Sequence, residues 1–132
     1  MRDALPVTVA MTGASGAQYG LRLIECLVGA GRDVYLMLSK PAQIVIGLET
    51  ELSLPGRDRD MERYLSGLYD ARPGQIRVFG REEWTAPVAS GSAHSAGMVI
   101  CPCTTGTLAS VAAGTSQNLI ERAADVTLKE GR

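Results

Sequence analysis

The sequence predicts an α/β protein with a doubly wound parallel sheet and flanking helices. Short runs rich in β-branched residues alternate along the chain with segments whose apolar residues recur every three or four positions. The stretch from Val7 to Leu38 predicts a strand, a helix and a second strand, and such a β-α-β unit joins parallel strands by a right-handed crossover. Strands that alternate with helices in this way indicate one parallel sheet covered on both faces.

The first β-α-β unit rests on three segments. Residues 7–11 (Val-Thr-Val-Ala-Met) predict a buried strand that runs into the turn-forming residues 12–16 (Thr-Gly-Ala-Ser-Gly). Residues 17–30 carry apolar side chains at the spacing of one helix face, and glycines at their end supply a stop. Residues 33–38 repeat the strand pattern. Together they predict the first half of the sheet.

The middle of the chain predicts three further elements. Ser39 and Pro41 are typical of a helix start, which predicts a helix continuing to about Thr50. A short helix is predicted over residues 61–69. The third strand is predicted over residues 76–79.

The last third predicts a loop, a strand and two helices. Residues 81–95 have the composition of a loop, and residues 98–101 (Met-Val-Ile-Cys) predict a fourth strand. A helix of small residues follows over residues 108–113. Another helix begins after Ser116 and continues toward Lys129. With no strand after that helix to pair, we expect residues 1–132 to be a single domain truncated at its carboxyl-terminal end, the amino-terminal portion of a longer chain.

Composition excludes several classes of partner. Thirteen basic and fourteen acidic residues give a net charge of -1, so we expect no nucleic-acid partner and no general attraction to anionic membranes. No apolar run reaches the length of a membrane span. The three cysteines are odd in number, and Cys101 and Cys103 stand one residue apart, which predicts reduced thiols and a cytoplasmic location. One histidine beside a C-x-C pair is a poor metal-ligand set, so no metal is expected.

Each of three predicted strands is followed by a loop that carries a side-chain hydroxyl. Residues 12–16, 38–40 and 102–107 each carry a serine or threonine, and the first and third are rich in small residues. Parallel sheets bind ligands outside the carboxyl ends of their strands, where loop amides and helix amino termini can bind a phosphate. The sequence therefore predicts a phosphate-bearing cofactor at this edge.

The glycine spacing favours FMN over other nucleotides. Gly13, Gly16 and Gly20 do not match G-x-G-x-x-G, and no Gly-Lys-Ser/Thr follows the first loop. The second strand ends in Ser39-Lys40, where an NAD site needs an acidic residue for the ribose. FMN carries one terminal phosphate and a flat apolar ring, which suits the switch point of such a sheet.

Several motifs together carry a resemblance that spans nearly the whole chain. They are Thr12-Gly13-Ala14-Ser15-Gly16-Ala17, Ser39, Glu49, Trp84, Pro102-Cys103-Thr104-Thr105-Gly106-Thr107-Leu108-Ala109, and the run from Asn118 to Glu130. In this order they resemble the UbiX-type flavin prenyltransferases, a flavodoxin-like (Rossmann-like) family once described as aromatic-acid decarboxylases.

The resemblance implies a reaction and its partners. Members of this family move a dimethylallyl group from dimethylallyl phosphate to N5 and C6 of reduced FMN. The product, prenylated FMN, serves a UbiD-type decarboxylase in ubiquinone biosynthesis. The resemblance also implies a homo-oligomer, commonly a dodecamer. The reaction needs no metal, and consistent with this the chain has no Asp-Asp-x-x-Asp motif.

The resemblance also implies roles for individual residues. Ser15 and Glu49 would relay the proton from the alkylated flavin nitrogen, Trp84 would face the dimethylallyl cation, and Lys129 would help the phosphate to leave. Arg122 would share the binding of phosphate with Lys129. The implied flavin-binding residues are Gly13, Ala14, Ser15, Ser39, Thr104, Thr105, Gly106, Thr107 and Arg122.

Other interpretations remain open. An FMN-dependent decarboxylase of the cysteine-decarboxylase type shares the fold, although those proteins carry Pro-Ala-Ser-Ala-Asn-Thr where residues 102–107 read Pro-Cys-Thr-Thr-Gly-Thr. A non-catalytic FMN-binding fragment is the second alternative. Individually, Ser39 is also explained as a helix cap, Glu49 as a solvated residue, and Trp84 as a core or interface anchor.

Overall fold

The computed structural model describes residues 5–90 and 95–131. Part of the predicted loop 81–95 therefore lies outside the described residues. The strands are β1 (Val7–Met11), β2 (Val34–Leu38), β3 (Ile76–Val78) and β4 (Gly97–Ile100). The helices are α1 (Ala17–Gly29), α2 (Lys40–Glu49), α3 (Asp58–Leu68), α4 (Thr105–Ala113) and α5 (Leu119–Lys129), with a 3-10 turn at Pro87–Ala89.

The described strands form one parallel sheet in the order β3-β2-β1-β4. The register places Val9 of β1 beside Leu36 of β2 on one side and beside Val99 of β4 on the other. This order is that of the Rossmann-like sheet, in which the direction of winding reverses between β1 and β4. The predicted α/β class, a doubly wound parallel sheet with flanking helices, is confirmed.

Alternate residues of each strand pack on opposite faces of the sheet. On β1, Val9 and Met11 join the core beneath α1, α2 and α3, whereas Ala10 joins a second core beneath α5 and the 3-10 turn. Ile24 of α1 and Leu119 of α5 are fully buried in these two cores. Both faces of the sheet are therefore covered, as the near-continuous apolar strands indicate.

Two helices begin earlier than apolar spacing alone predicts. α3 begins at Asp58 instead of residue 61, because Asp58 and Asp60 place negative charge in its first turn, where the helix dipole favours it. α4 begins at Thr105 instead of residue 108, because Thr104 caps it by accepting a hydrogen bond from the Thr107 amide. Among the described residues, no helix is long and apolar enough to cross a membrane.

Candidate functional site

A cleft of about 280 Å³ opens at the carboxyl ends of β1, β2 and β4. It lies at the switch point of the sheet, where doubly wound proteins bind their ligands. Its lining combines loop residues, helix starts and apolar side chains. The lining residues are Thr12, Gly13, Met37, Leu38, Ser39, Lys40, Pro41, Phe79, Arg81, Thr104, Thr107, Asn118 and Ile120.

Thr12 joins the loops that follow β1 and β4. Its hydroxyl donates to the carbonyl oxygen of Pro102 over 2.7 Å and accepts from the backbone N–H of Thr104 over 2.8 Å. The backbone N–H of Thr12 also donates to the Pro102 carbonyl, at 3.0 Å. These bonds hold two predicted site loops together although they are far apart in the chain.

Gly13 allows the start of α2 to approach the first loop. A Cβ atom at Gly13 would overlap the side chain of Pro41. Ser39 caps α2 by accepting from the Ala42 amide at 3.1 Å, and its own backbone N–H donates to the carbonyl of Met11 at 3.1 Å. The predicted helix start at Ser39 and Pro41 is confirmed. The α2 amino terminus is therefore held directly against the end of β1.

α4 and α5 also begin at the cleft. Thr104 caps α4, and its side chain and that of Thr107 lie 2.9 Å apart in a hydrogen bond. Asn118 caps α5 by accepting from the Glu121 amide at 2.9 Å, and the Glu121 carboxylate accepts in return from the Gln117 backbone and the Asn118 side chain. This reciprocal cap fixes Asn118 at the rim of the cleft.

The cleft thus combines two kinds of surface. The amino termini of α2, α4 and α5 carry backbone N–H groups with no partner inside the helix, and their dipoles favour an anion. Met37, Phe79 and Ile120 supply an apolar wall beside them. A ligand that carries both a phosphate and a flat apolar ring fits this combination.

The amino terminus of α1 differs from those of α2, α4 and α5, because its N–H groups donate to a side chain of the same protein. The Glu49 carboxylate, at the end of α2, accepts from the Ser15 hydroxyl at 2.7 Å and from the backbone N–H groups of Gly16 and Ala17 at 3.0 and 3.1 Å. These bonds, that of Ser15 above all, hold the pKa of Glu49 below its ordinary value. The first loop therefore binds a carboxylate of its own chain, which leaves an external phosphate to the other helices.

The structure brings several predicted site residues together. Gly13, Ser39, Thr104 and Thr107 line the cleft. Ser15, beside it in the first loop, is paired with Glu49. Ala14 is half-buried in that loop, while Thr105 and Gly106 are exposed in the first turn of α4.

Trp84, Arg122 and Lys129 lie outside the cleft lining. Trp84 is 48% exposed in the loop after β3. The Arg122 Nε donates to the Ala89 carbonyl at 3.2 Å, and its guanidinium lies 3.9 Å from Asp125. Lys129 is exposed in the last turn of α5, about 16 Å along the helix from Asn118 at a rise of ~1.5 Å per residue. No group of three or more His, Cys, Asp or Glu side chains in the described chain could hold a metal ion.

Some lining residues were missed by sequence reasoning. Phe79 and Arg81 follow β3 directly, so the carboxyl end of that strand was an available signal. Asn118 stands three residues before Glu121, a capping pattern that marks a helix start. Met37 and Ile120 carry no signal beyond burial, because only the folded sheet brings them to the cleft.

The fold and the cleft define a Rossmann-like α/β protein with a site for a phosphate-bearing ligand at its switch point. A family model described as Flavoprotein matches residues 1–132. The chain belongs to the Flavoprotein family.

Individual relatives and solved structures give a more specific comparison than the family model does. The flavin prenyltransferase UbiX of Pseudomonas aeruginosa is 57% identical over 126 residues, which is 96% of this chain and 60% of that protein. A crystal structure of AnUbiX (PadA1) in complex with FMN and dimethylallyl pyrophosphate superposes with a TM-score of 0.81 and 34% identity, covering 98% of this chain and 61% of the other. A dodecameric FMN-dependent UbiX-like decarboxylase from Escherichia coli O157:H7 gives a TM-score of 0.80 and 36% identity, over 97% and 63%. The chain spans about 60% of the length of the relatives it matches.

Proposed function

We propose that the protein binds FMN in the cleft. The observation that carries this proposal is the convergence of the amino termini of α2, α4 and α5 on one side of an apolar wall. Ser39, Thr104, Thr107 and Asn118 would bind the phosphate through hydroxyl, amide and helix N–H groups. The apolar side chains would contact the ring. The FMN-bound AnUbiX structure supports this assignment.

We further infer that the activity is prenyl transfer from dimethylallyl phosphate to N5 and C6 of FMN. The similarity to UbiX of Pseudomonas aeruginosa supports this reaction. When bound in its reduced form, FMN supplies the nucleophilic positions that receive the dimethylallyl group. The other requirements, a proton acceptor and a binding site for the phosphate, fall to the side chains of the chain itself.

Ser15 and Glu49 are suited to move a proton. Because Ser15 donates its hydroxyl hydrogen to Glu49, the lone pairs of its oxygen remain available to accept another proton. The lowered pKa of Glu49 keeps its carboxylate ionised at neutral pH, so it can receive the hydroxyl proton as Ser15 takes up another. This pair is the proton relay of the proposal.

Trp84, Arg122 and Lys129 are proposed to act on the dimethylallyl phosphate. All three are exposed in the chain, so they are accessible to a neighbouring copy. The dodecameric relative from Escherichia coli supports a homo-oligomer, and we propose that assembly brings these side chains to a cleft. The two cations would stabilise the leaving phosphate, and the tryptophan ring would stabilise positive charge on the allyl group.

The same proposal includes the recipient of the product and the location of the protein. Prenylated FMN would pass to a UbiD-type decarboxylase in ubiquinone biosynthesis. A cytoplasmic location agrees with the odd number of cysteines and with the one-residue spacing of Cys101 and Cys103.

Anaerobic incubation with FMN, dithionite and dimethylallyl phosphate tests the reaction. Mass analysis of the extracted flavin should show the gain of one five-carbon unit. Bound but unmodified flavin would reject prenyl transfer by this chain and favour an FMN-binding fragment, or a decarboxylase if a carboxylated substrate then loses CO₂. A sample with Glu49→Gln serves as the matched control.

A further inference from the structure

We propose that Thr12 is a positioning residue that orients the amino terminus of α4 toward the cleft and thereby sets the affinity for the flavin phosphate. The inference rests on the proposed function, because it concerns the same cleft. Thr12 directly follows β1 and is only 4% exposed. Its side chain acts through Thr104, which caps α4 and lines the cleft.

The paired residues of β1 and β4 end two positions before Thr12. The paired register runs from Val7 beside Gly97 to Ala10 beside Ile100, and two backbone bonds follow it: the Cys101 N–H donates to the Ala10 carbonyl at 2.9 Å, and the Thr12 N–H donates to the Pro102 carbonyl at 3.0 Å. After Pro102, the Thr104 N–H is bonded to the hydroxyl of Thr12 and not to a backbone carbonyl. The side chain of Thr12 therefore adds to the backbone contact between this loop and the end of β1.

The hydroxyl of Thr12 forms two hydrogen bonds with the loop after β4. It donates to the Pro102 carbonyl at 2.7 Å and accepts from the Thr104 N–H at 2.8 Å. It therefore bonds the backbone on both sides of Cys103. A hydroxyl can donate and accept at once, whereas valine has the same shape and can do neither.

The orientation of Thr104 determines where α4 begins. With its backbone N–H held by Thr12, Thr104 turns its own side chain to accept from the Thr107 amide at 3.0 Å. That cap fixes the first turn of the helix, whose N–H groups are the proposed phosphate donors. Loss of the Thr12 bonds would leave the part-buried Thr104 amide without this partner and would loosen the turn.

Three substitutions separate this role from general effects on the fold. Thr12→Val removes the hydroxyl and keeps the shape, and Thr12→Ser restores the hydroxyl. Thr8→Val is the matched control, because Thr8 is a buried threonine of β1, 2% exposed, and does not line the cleft. If Thr12→Val does not fold by circular dichroism, Thr12→Ala replaces it.

Two measurements are made on each variant of the full chain: FMN affinity by quenching of flavin fluorescence, and hydrogen exchange at the Thr104 and Thr107 amides without flavin. We expect Thr12→Val to bind FMN about tenfold more weakly and to exchange faster at both amides, with Thr12→Ser and Thr8→Val within about threefold of the unaltered chain. Unchanged affinity in Thr12→Val, or no rescue by serine, would overturn the proposal. Should the unaltered chain bind no FMN, the proposed function fails, and unchanged exchange in Thr12→Val would overturn the positioning role separately.

Discussion

The carboxylate of Glu49 accepts the hydroxyl hydrogen of Ser15 at 2.7 Å, across 34 residues of sequence. The same carboxylate accepts the first N–H groups of α1, so the end of α2 caps the start of α1. The Glu49 carboxylate thus has a structural role, beside the chemical role proposed for it. It holds the first loop in place, and in the proposed relay it receives the hydroxyl hydrogen of Ser15.

Glu49→Gln is expected to lower the rate of prenyl transfer by about 10²-fold while FMN affinity stays within about threefold, because the amide can still bind the loop but cannot receive a proton. Single-turnover mass analysis gives the rate, and fluorescence quenching gives the affinity. Glu51→Gln, two residues further and also exposed, is the control. An undiminished rate in Glu49→Gln would rule out the relay.

The same carboxylate predicts a dependence of stability on pH. A pKa that is lower in the folded than in the unfolded state adds stability above the unfolded pKa, and this stability is lost as pH falls through the folded pKa. The difference in melting temperature between the unaltered chain and Glu49→Gln should therefore be largest near neutral pH and should narrow under acid conditions. A difference that stays constant, or that widens in acid, would contradict the ionised cap.

Gly13→Ala should destabilise the fold by about 1–3 kcal/mol and abolish FMN binding, because its Cβ would displace Pro41 and the start of α2. Gly47→Ala is the matched control, because Gly47 lies within α2 and no atom lies near the position of its missing Cβ. Alanine there should raise the free energy of unfolding by about 0.5–1 kcal/mol. Chemical denaturation measures both. Equal stability of the two variants would show that the first loop tolerates a side chain.

Asn118→Ala should cost about 1 kcal/mol of stability by removing the α5 cap, and it should also weaken FMN binding. Ser116→Ala, in the exposed segment just before, should change neither quantity. Denaturation and fluorescence quenching on both variants check this. If Asn118→Ala loses stability and keeps full affinity, Asn118 is a cap and not a flavin ligand.

The sequence predicted what depends on local patterns. β1, β2 and the cap at Ser39 follow from short runs and single turn residues, and the structure confirms them. The link from Thr12 to Thr104 and the cap that Glu49 places on α1 depend on contacts between distant parts of the chain, which no local pattern specifies. The roles of Trp84, Arg122 and Lys129 stay predictions, because these exposed side chains lie outside the lining of the cleft.

The relative affinity for FMN and riboflavin tests the central claim most directly, because the two molecules share the ring and differ by the phosphate. If the amino termini of α2, α4 and α5 bind that phosphate, FMN should bind about 10²-fold more tightly than riboflavin, with the difference shrinking in high salt. Equal affinities for the two would contradict the phosphate site, whatever the reaction proves to be.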